Sequence, residues 1–260
     1  MIADAYEAFL FDLDGVLYRG ADPVPGAAES LTRLRSLGKG IAFVTNNSGR
    51  TPERVAERLR SVGVDADAGE VETSALTTAA VLAERGIGRA FVVGEAGVVD
   101  ALSEAGVEVA TGEPDTVDAV VVGWDRNADY TKLRVASVLV QRGAGLVATN
   151  PDASFPASDG TKWPGAGALL AAIETTTGVR GEVIGKPYPP LLLAAHARAG
   201  GGRPLLIGDR LDTDIAGAVG LGWDSLLVLT GISEARDLEG SSVRPTYVAD
   251  DLRGLFAEGS

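Results

Sequence analysis

The sequence predicts an α/β protein built on a doubly wound parallel sheet of the Rossmann-like type. Short apolar runs, such as residues 8–11 and 41–44, are typical of buried parallel strands. They alternate with segments in which apolar residues recur at helical spacing, and glycine or proline separates the two kinds of segment. Strands joined through helices pair in parallel with right-handed crossovers, so this alternation favours a parallel sheet covered by helices.

The predicted elements follow one another along the whole chain. Strand 8–11 precedes a helix that begins near Gly26 and ends at Gly38. Thr51 is a good N-cap before Pro52, so a second helix is expected there. Further strands are predicted at residues 41–44, 90–93, 119–122, 146–148, 182–184, 204–207 and 225–229. Further helices are predicted at residues 74–84, 98–105, 130–141, 166–177, 189–199 and 213–219.

Composition narrows the possible functions. The chain has 260 residues, a formal net charge of −13 and no cysteine. This charge argues against a nucleic-acid or anionic-membrane partner, and no apolar run is long enough to span a membrane. The missing cysteines exclude disulfides and thiolate metal sites and favour a cytoplasmic protein, and the acidic N-terminal residues do not resemble a signal peptide. The composition does not decide between a monomer and a homodimer.

Polar side chains follow several of the predicted strands. Asp12 and Asp14 come after strand 8–11, and a period of two places them on the same side of an extended chain. Further polar clusters after predicted strands are Thr45-Asn46, Lys186 and the run from Gly208 to Asp214. Because the carboxyl ends of parallel strands share one sheet edge, we expect these clusters to converge. Carboxylates suit Mg²⁺, and together with a lysine and a hydroxyl they indicate phosphoryl transfer through an aspartyl phosphate.

The order of these motifs resembles the haloacid dehalogenase superfamily of phosphatases. The resemblance is carried by Asp12-x-Asp14-Gly15-Val16, Thr45-Asn46-Asn47, Gly185-Lys186-Pro187 and Gly208-Asp209-x4-Asp214. More narrowly, the chain resembles the nitrophenylphosphatase-type branch, which includes ribonucleotide, phosphoglycolate, glycerol phosphate and pyridoxal phosphate phosphatases. Four motifs in this order, with a large insertion between the second and the third, form a specific signature. The resemblance implies a core domain at residues 1–83 and 184–260 and an inserted α/β (C2-type) cap domain at residues 84–183.

The resemblance also implies which residues perform the reaction. Asp12 would be the nucleophile, and Asp14 would protonate the leaving oxygen and later activate water. Lys186 would neutralise the phosphate and the nucleophile. Mg²⁺ would be held by the side chains of Asp12 and Asp209 and by the backbone carbonyl of Asp14. Asp214 would support Lys186 or a metal-bound water.

Substrate-binding residues follow from the same resemblance. The turn after the second strand, with Thr45, Asn46 and Asn47, would hold the phosphoryl oxygens, and its free backbone N–H groups suit an anion. The cap residues expected on the leaving-group side are Asn150, Asp152 and Trp163. A carboxylate at position 152 would favour hydroxyl-bearing leaving groups and disfavour a second anion.

The sequence therefore predicts a Mg²⁺-dependent phosphomonoester hydrolase for a small phosphorylated metabolite, such as glycerol phosphate, phosphoglycolate or a sugar phosphate. A nucleotide monophosphatase is an alternative, because Trp163 could stack on a base. A non-catalytic phosphate- or nucleotide-binding protein is another. Asp14 disfavours that last reading, since a second carboxylate facing a phosphate lowers affinity by repulsion.

Overall fold

The computed structural model describes residues 1–156 and 161–257. Within these residues the strands are β1 (Ala8–Phe11), β2 (Tyr18–Arg19), β3 (Asp22–Pro23), β4 (Gly40–Thr45), β5 (Val71–Thr73), β6 (Arg89–Val93), β7 (Glu108–Ala110), β8 (Ala119–Val122), β9 (Gly145–Ala148), β10 (Ser154–Pro156), β11 (Lys162–Pro164), β12 (Glu182–Val183), β13 (Pro204–Gly208), β14 (Asp224–Val228) and β15 (Tyr247–Ala249).

The α-helices in the same residues are α1 (Ala27–Ser36), α2 (Pro52–Ser61), α3 (Ser74–Glu84), α4 (Ala96–Glu104), α5 (Tyr130–Gln141), α6 (Ala166–Thr177), α7 (Pro189–Arg198), α8 (Ala216–Leu221) and α9 (Asp237–Gly240). Within the described part of the chain, no helix combines the length and the apolar character needed to cross a bilayer.

The chain forms two compact units, and the first comprises Met1–Thr45, Pro52–Glu72 and Lys186–Ser260. Its sheet has the strand order β15-β14-β13-β1-β4-β5. Strand β1 pairs in parallel with β13 on one side and with β4 on the other. Strands β14 and β15 continue the parallel pairing beyond β13. The central strand is therefore the one that carries the first acidic motif.

Both faces of this sheet are covered, because the residues of β1 alternate between two separate cores. Phe9 and Phe11 belong to a cluster that includes apolar residues of α1 and α2. Ala8 and Leu10 belong to a second cluster, formed with apolar residues of α7 and α8. A strand buried on both sides has no polar face, which explains its uninterrupted apolar sequence. The structure confirms the predicted doubly wound parallel sheet.

The second unit comprises Asn46–Thr51 and Thr73–Gly185. Its sheet has the order β12-β9-β8-β6-β7, and the neighbouring strands pair in parallel. Residues of β8 also alternate between two cores: Val121 clusters with residues of α3 and α4, and Val120 with residues of α5 and α6. Strands β10 and β11 form a separate antiparallel ribbon.

The second unit begins earlier in the chain than the expected residue 84. Helix α3 packs in this unit, where Ala79 and Leu82 cluster with Val98 and Leu102 of α4. The apolar period of α3 predicts a buried face, but it does not say which sheet covers that face. The short segment at residues 46–51 also joins this unit, although it follows directly on β4.

Candidate active site

The carboxyl ends of β1, β4 and β13 bring the polar residues of the first unit to one edge of its sheet. Asp12 directly follows β1, Thr45 is the last residue of β4, and Asp209 directly follows β13. The Asp12 N–H continues the ladder by donating to the Ile207 carbonyl over 2.9 Å. Parallel pairing thus places residues far apart in sequence beside one another, as the motif order predicts.

Lys186 is held at the centre of this edge. Its Nζ donates to Asp12 Oδ1 over 2.5 Å and to Asp214 Oδ1 over 2.7 Å, and the Val44 carbonyl lies at 3.4 Å. Burial alone would lower the pKa of Lys186, but the charges of Asp12 and Asp214 outweigh it and raise the pKa above its usual value. The ammonium therefore stays charged, which suits it to neutralise anions and not to act as a base.

Two carboxyls at this edge, those of Asp12 and Asp209, have raised pKa values. Burial raises the pKa of Asp12 well above its usual range; Lys186 opposes this rise, and the charges of Asp214 and Asp209 add to it. Burial also raises the pKa of Asp209 to about 7, again with the Asp214 charge adding to the shift. A further cation beside these carboxyls would favour their ionised forms.

Three carboxylates could supply the ligands for that cation. Oxygens of Asp12, Asp209 and Asp214 lie within 4.8 Å of one another. Asp209 Oδ2 accepts the Ile232 N–H over 2.7 Å, whereas its buried Oδ1 has no hydrogen-bond partner among the described residues. A buried carboxylate oxygen without a donor is costly unless something positive faces it. Within residues 1–156 and 161–257, Lys186 is the one ammonium paired with these carboxylates. Three carboxylates and one ammonium leave two negative charges, so the donor set fits Mg²⁺.

Two glycines make room for Asp209. A Cβ added to Gly231 would lie 1.9 Å from Asp209 Oδ2, and one added to Gly15 would lie 2.4 Å from the same atom. Gly15 also has a φ of +83°, a conformation that L side chains rarely adopt. Its carbonyl accepts the Thr230 hydroxyl over 2.5 Å. Thr230 and Gly231 are not among the predicted site residues, although a Thr-Gly pair directly after a predicted strand indicates a turn there.

Asp214 reaches the site from a π-helical turn, Leu211–Ile215, that leads into α8. Its Oδ2 accepts the Arg210 N–H over 3.2 Å while Oδ1 accepts from Lys186. A regular helix was predicted over this stretch, and π turns of this kind are frequent at functional sites. The neighbouring Asp212 forms a two-bond ion pair with the Arg210 guanidinium, at 2.8 and 3.0 Å, and is largely exposed.

Asp14 is half-buried and follows Asp12 by two residues, as the period of the strand predicts. Its carboxylate is not part of the three-carboxylate group found among the described residues. The ligand role of its backbone carbonyl and the proton-transfer role of its side chain both stay predictions.

The predicted substrate residues of the second unit form a hydrogen-bonded network. The Asn46 carbonyl accepts from Ser74 Oγ over 2.8 Å and from Asn150 Nδ2 over 2.7 Å. Asn46 Nδ2 donates to Asp152 Oδ2 over 3.1 Å, and the Asp152 N–H donates to Asn150 Oδ1 over 3.1 Å. Asn46, Asn150 and Asp152 are therefore held together.

Asn47 and Trp163 are the two other predicted substrate residues of this unit. Asn47 Oδ1 accepts the Gly49 N–H over 3.0 Å, which closes a local turn after β4. Trp163 lies in β11 with 45% of its surface exposed, so it is not a core residue. Their roles in substrate binding stay predictions.

Comparison with known proteins identifies the family. The profile of haloacid dehalogenase-like hydrolases matches residues 9–108, and a HAD-hydrolase-like profile matches residues 183–255. An acid sugar phosphatase from Staphylococcus aureus is 40% identical over 256 residues, which are 97% of this chain and 98% of that protein. The chain belongs to the haloacid dehalogenase-like hydrolases.

Solved structures of two phosphatases have the same fold as this chain. A glycerol phosphate phosphatase from Mycobacterium tuberculosis in complex with magnesium superposes with a TM-score of 0.92 at 38% identity, covering 98% of this chain and 77% of that one. A p-nitrophenyl phosphatase from Archaeoglobus fulgidus gives a TM-score of 0.88 at 32% identity, covering 95% of this chain and 97% of that one. The predicted family, fold class and enzyme class are confirmed: this haloacid dehalogenase-like hydrolase is a phosphatase.

Proposed function

We propose that this phosphatase is a Mg²⁺-dependent phosphomonoester hydrolase that forms an aspartyl phosphate on Asp12 and acts on small polyol or sugar phosphates. The observation that carries the proposal is the buried group of Asp12, Lys186, Asp209 and Asp214, with its excess negative charge and its unpartnered Asp209 Oδ1. The relatives named as acid sugar phosphatase and glycerol phosphate phosphatase support the substrate class.

Asp12 and Lys186 would perform the first half of the reaction. The Asp12 carboxylate attacks phosphorus, the bond from phosphorus to the ester oxygen breaks, and the phosphoryl group is transferred to the carboxylate. Lys186 holds the attacking carboxylate in place and adds a fixed positive charge beside the phosphoryl oxygens. Bound Mg²⁺ supplies further positive charge for the same oxygens.

Asp14 would move the protons. It gives its proton to the leaving ester oxygen, so that an alcohol and not an alkoxide departs. It then takes a proton from the water that attacks the phosphoenzyme, which releases inorganic phosphate and restores Asp12. One carboxyl can do both because the first step leaves it deprotonated. Histidine is the usual alternative for proton transfer, but the one histidine of the chain, His196, has its Nε2 bonded to the Gly202 carbonyl at 2.8 Å.

The leaving group would be selected by Asn150, Asp152 and Trp163 of the second unit. Asn46 and Asn150 hold the Asp152 side chain and backbone in a fixed orientation. A fixed carboxylate accepts hydrogen bonds from hydroxyl groups and repels a second anion. These properties favour glycerol phosphate or a sugar phosphate over multiply charged esters.

The mechanism is tested by trapping the intermediate. Asp14→Asn protein mixed with a nitrophenyl ester should accumulate an added phosphoryl mass on the peptide that contains Asp12, and Asp12→Asn should not. Metal removal with EDTA should abolish turnover, and Mg²⁺ should restore it better than Ca²⁺, whose larger coordination shell misplaces the reacting groups. Turnover in metal-free buffer, or a phosphoryl group found on another residue, would contradict the proposal.

The substrate class is tested separately. Rates for polyol, sugar and nucleotide monophosphates are compared in the wild type, Asp152→Ala and Trp163→Ala. We expect Asp152→Ala to lower kcat/KM for polyol and sugar phosphates selectively. A wild-type preference for nucleotides that Trp163→Ala removes would support the nucleotide alternative, because an exposed indole can stack on a base.

A further inference from the structure

Trp124 contacts both strands of the β10–β11 ribbon. It lies just after β8, and its ring stacks on Phe155 of β10, with centroids 4.5 Å apart and an interplanar angle of 29°. Its Nε1–H donates to the Pro164 carbonyl of β11 over 3.2 Å. One side chain thus ties the ribbon to the end of a central strand in the parallel sheet of the second unit.

Trp124 is itself firmly held. Its N–H donates to the buried Ser48 hydroxyl over 3.0 Å, and its carbonyl accepts the Glu95 N–H over 3.1 Å. The Arg126 guanidinium lies 5.1 Å from the indole, a cation–π distance, and is paired with Glu95 through bonds of 2.6 and 3.0 Å. Because both the backbone and the ring of Trp124 are held, Trp124 can in turn hold Phe155 in place.

The ribbon is short, and besides Trp124 it contacts helix α6, which follows β11 closely in the chain. Its described pairing consists of Ser154 with Pro164, Phe155 with Trp163, and Pro156 with Lys162. An isolated two-stranded ribbon of this length is at best marginally stable in water. Phe155 and Trp163 are direct cross-strand partners, so their side chains project from the same face of the ribbon. The stack on Phe155 therefore helps to fix the position of Trp163.

We propose that Trp124 is a positioning residue for leaving-group recognition, acting through Phe155 on Trp163 without touching the substrate itself. This inference rests on the proposed function, in which Trp163 lines the leaving-group side. If Trp124 acts this way, its loss loosens the ribbon and weakens binding of esters that contact the ribbon. The chemistry at Asp12 should persist, since its position comes from the sheet of the first unit.

The positioning step is tested by fluorescence of Trp163 as the only tryptophan. The chain contains Trp124, Trp163 and Trp223, so two double variants isolate it: Trp124→Phe/Trp223→Phe keeps an aromatic ring to stack on Phe155, and Trp124→Leu/Trp223→Phe does not. We expect a larger amplitude of nanosecond depolarisation of Trp163 in the leucine variant than in the phenylalanine variant. Equal anisotropy decays would overturn the proposal.

Kinetics test the consequence for recognition. Trp124→Leu should raise KM for glycerol phosphate about tenfold and change kcat less, as expected when a contact is misplaced by about 1 Å or less. Hydrolysis of acetyl phosphate, whose leaving group is small, should change less than about threefold, and Trp124→Phe should restore most of the KM. The control is Trp223→Phe, which alters an indole packed on His196 in the first unit.

The outcomes separate this inference from the function on which it rests. A KM rise for glycerol phosphate together with a mobile Trp163 supports the inference. A mobile Trp163 with an unchanged KM overturns it, because the ribbon would then not recognise the leaving group. If wild-type protein hydrolyses acetyl phosphate but neither polyol nor sugar phosphates, the substrate class fails while the anisotropy comparison still reports on the Trp124 stack. Circular dichroism checks folding, and Phe155→Leu removes the same stack from the other side should Trp124→Leu not fold.

Discussion

Lys186→Met should destabilise the metal-free protein strongly. Met matches the length of the lysine stem but leaves Asp12 and Asp214 without the ammonium that both now share. The side chains of Lys186 and Asp214 are 3% and 1% exposed, so water cannot replace the lost partner. Removing one partner of a buried ion pair typically costs about 3–5 kcal/mol of unfolding free energy.

The cost should depend on pH. Burial already raises the pKa of Asp12, and Lys186 opposes that rise, so the variant should raise it further. A carboxyl whose pKa is raised in the folded state binds more protons folded than unfolded, so stability falls as pH rises from about 4 to the folded-state pKa. At pH 7, protonating a carboxyl whose unfolded pKa is about 3.9 costs about 4 kcal/mol, and at pH 5 about 1.5 kcal/mol. Lys186 keeps the pKa of Asp12 lower in the wild type than in the variant, so the wild type loses less stability over this pH range. The deficit of the variant should therefore be larger at pH 7 than at pH 5.

Thermal unfolding in EDTA at both pH values measures this effect. At about 2–4 °C per kcal/mol for a chain of this size, Lys186→Met should lower Tm by roughly 10 °C at pH 7 and by clearly less at pH 5. The control is Arg54→Met, which removes an exposed ion pair with Glu57 and should cost about 1 kcal/mol or less. A Tm for Lys186→Met equal to that of the control, or a deficit independent of pH, would refute the reasoning.

Two further changes probe the metal ligands and the proton donor. Gly231→Ala adds a Cβ that would lie 1.9 Å from Asp209 Oδ2, so calorimetry should show Mg²⁺ affinity at least about tenfold weaker. The control is Gly220→Ala, where nothing lies within 4 Å of the added Cβ. Equal Mg²⁺ affinities of the two variants would contradict the assignment of Asp209 as a ligand. In rapid-quench experiments, Asp14→Asn should slow phosphoenzyme formation less for a nitrophenyl ester than for an alkyl ester, because nitrophenol needs no proton donor. Equal losses for both esters would remove the acid role from Asp14.

Sequence patterns predict the long elements of this fold well and the short ones poorly. Strand β1 and helices α5 and α6 begin and end where their apolar patterns place them. Strands β10, β11 and β15 were missed, because three residues are too few to show a period of two. Helix α4 begins at Ala96, two residues before the predicted start, and includes Gly97. A Cβ at Gly97 would lie 2.5 Å from the Ser48 carbonyl, so this glycine serves a tertiary contact that no local pattern reveals.

Part of the candidate site could be predicted because strand ends share an edge in a parallel sheet. The proximity of Asp12, Lys186 and Asp209 can be predicted from the strand order and the positions of the motifs alone. Asp214 is expected near Lys186 from the same motif, but the π turn that carries it has no recognisable pattern in the sequence. The Thr-Gly pair at residues 230 and 231 indicates a turn after a predicted strand, but the close approach of Gly231 to Asp209 is a tertiary contact that no local pattern reveals.

The two units position their predicted functional residues by different means, and this difference bears on how substrate choice can change. In the first unit, Asp12 and Asp209 are placed by backbone ladders of a sheet buried on both faces, so few substitutions move them without unfolding the unit. In the second unit, the ribbon that carries Trp163 contacts helix α6, and one aromatic stack and one indole hydrogen bond from Trp124 hold its two strands. Contacts of that kind contribute about 1 kcal/mol each, which is small beside the stability of a domain. Under the proposed roles, substitutions around Phe155 would therefore alter leaving-group recognition at little cost to folding or to phosphoryl transfer.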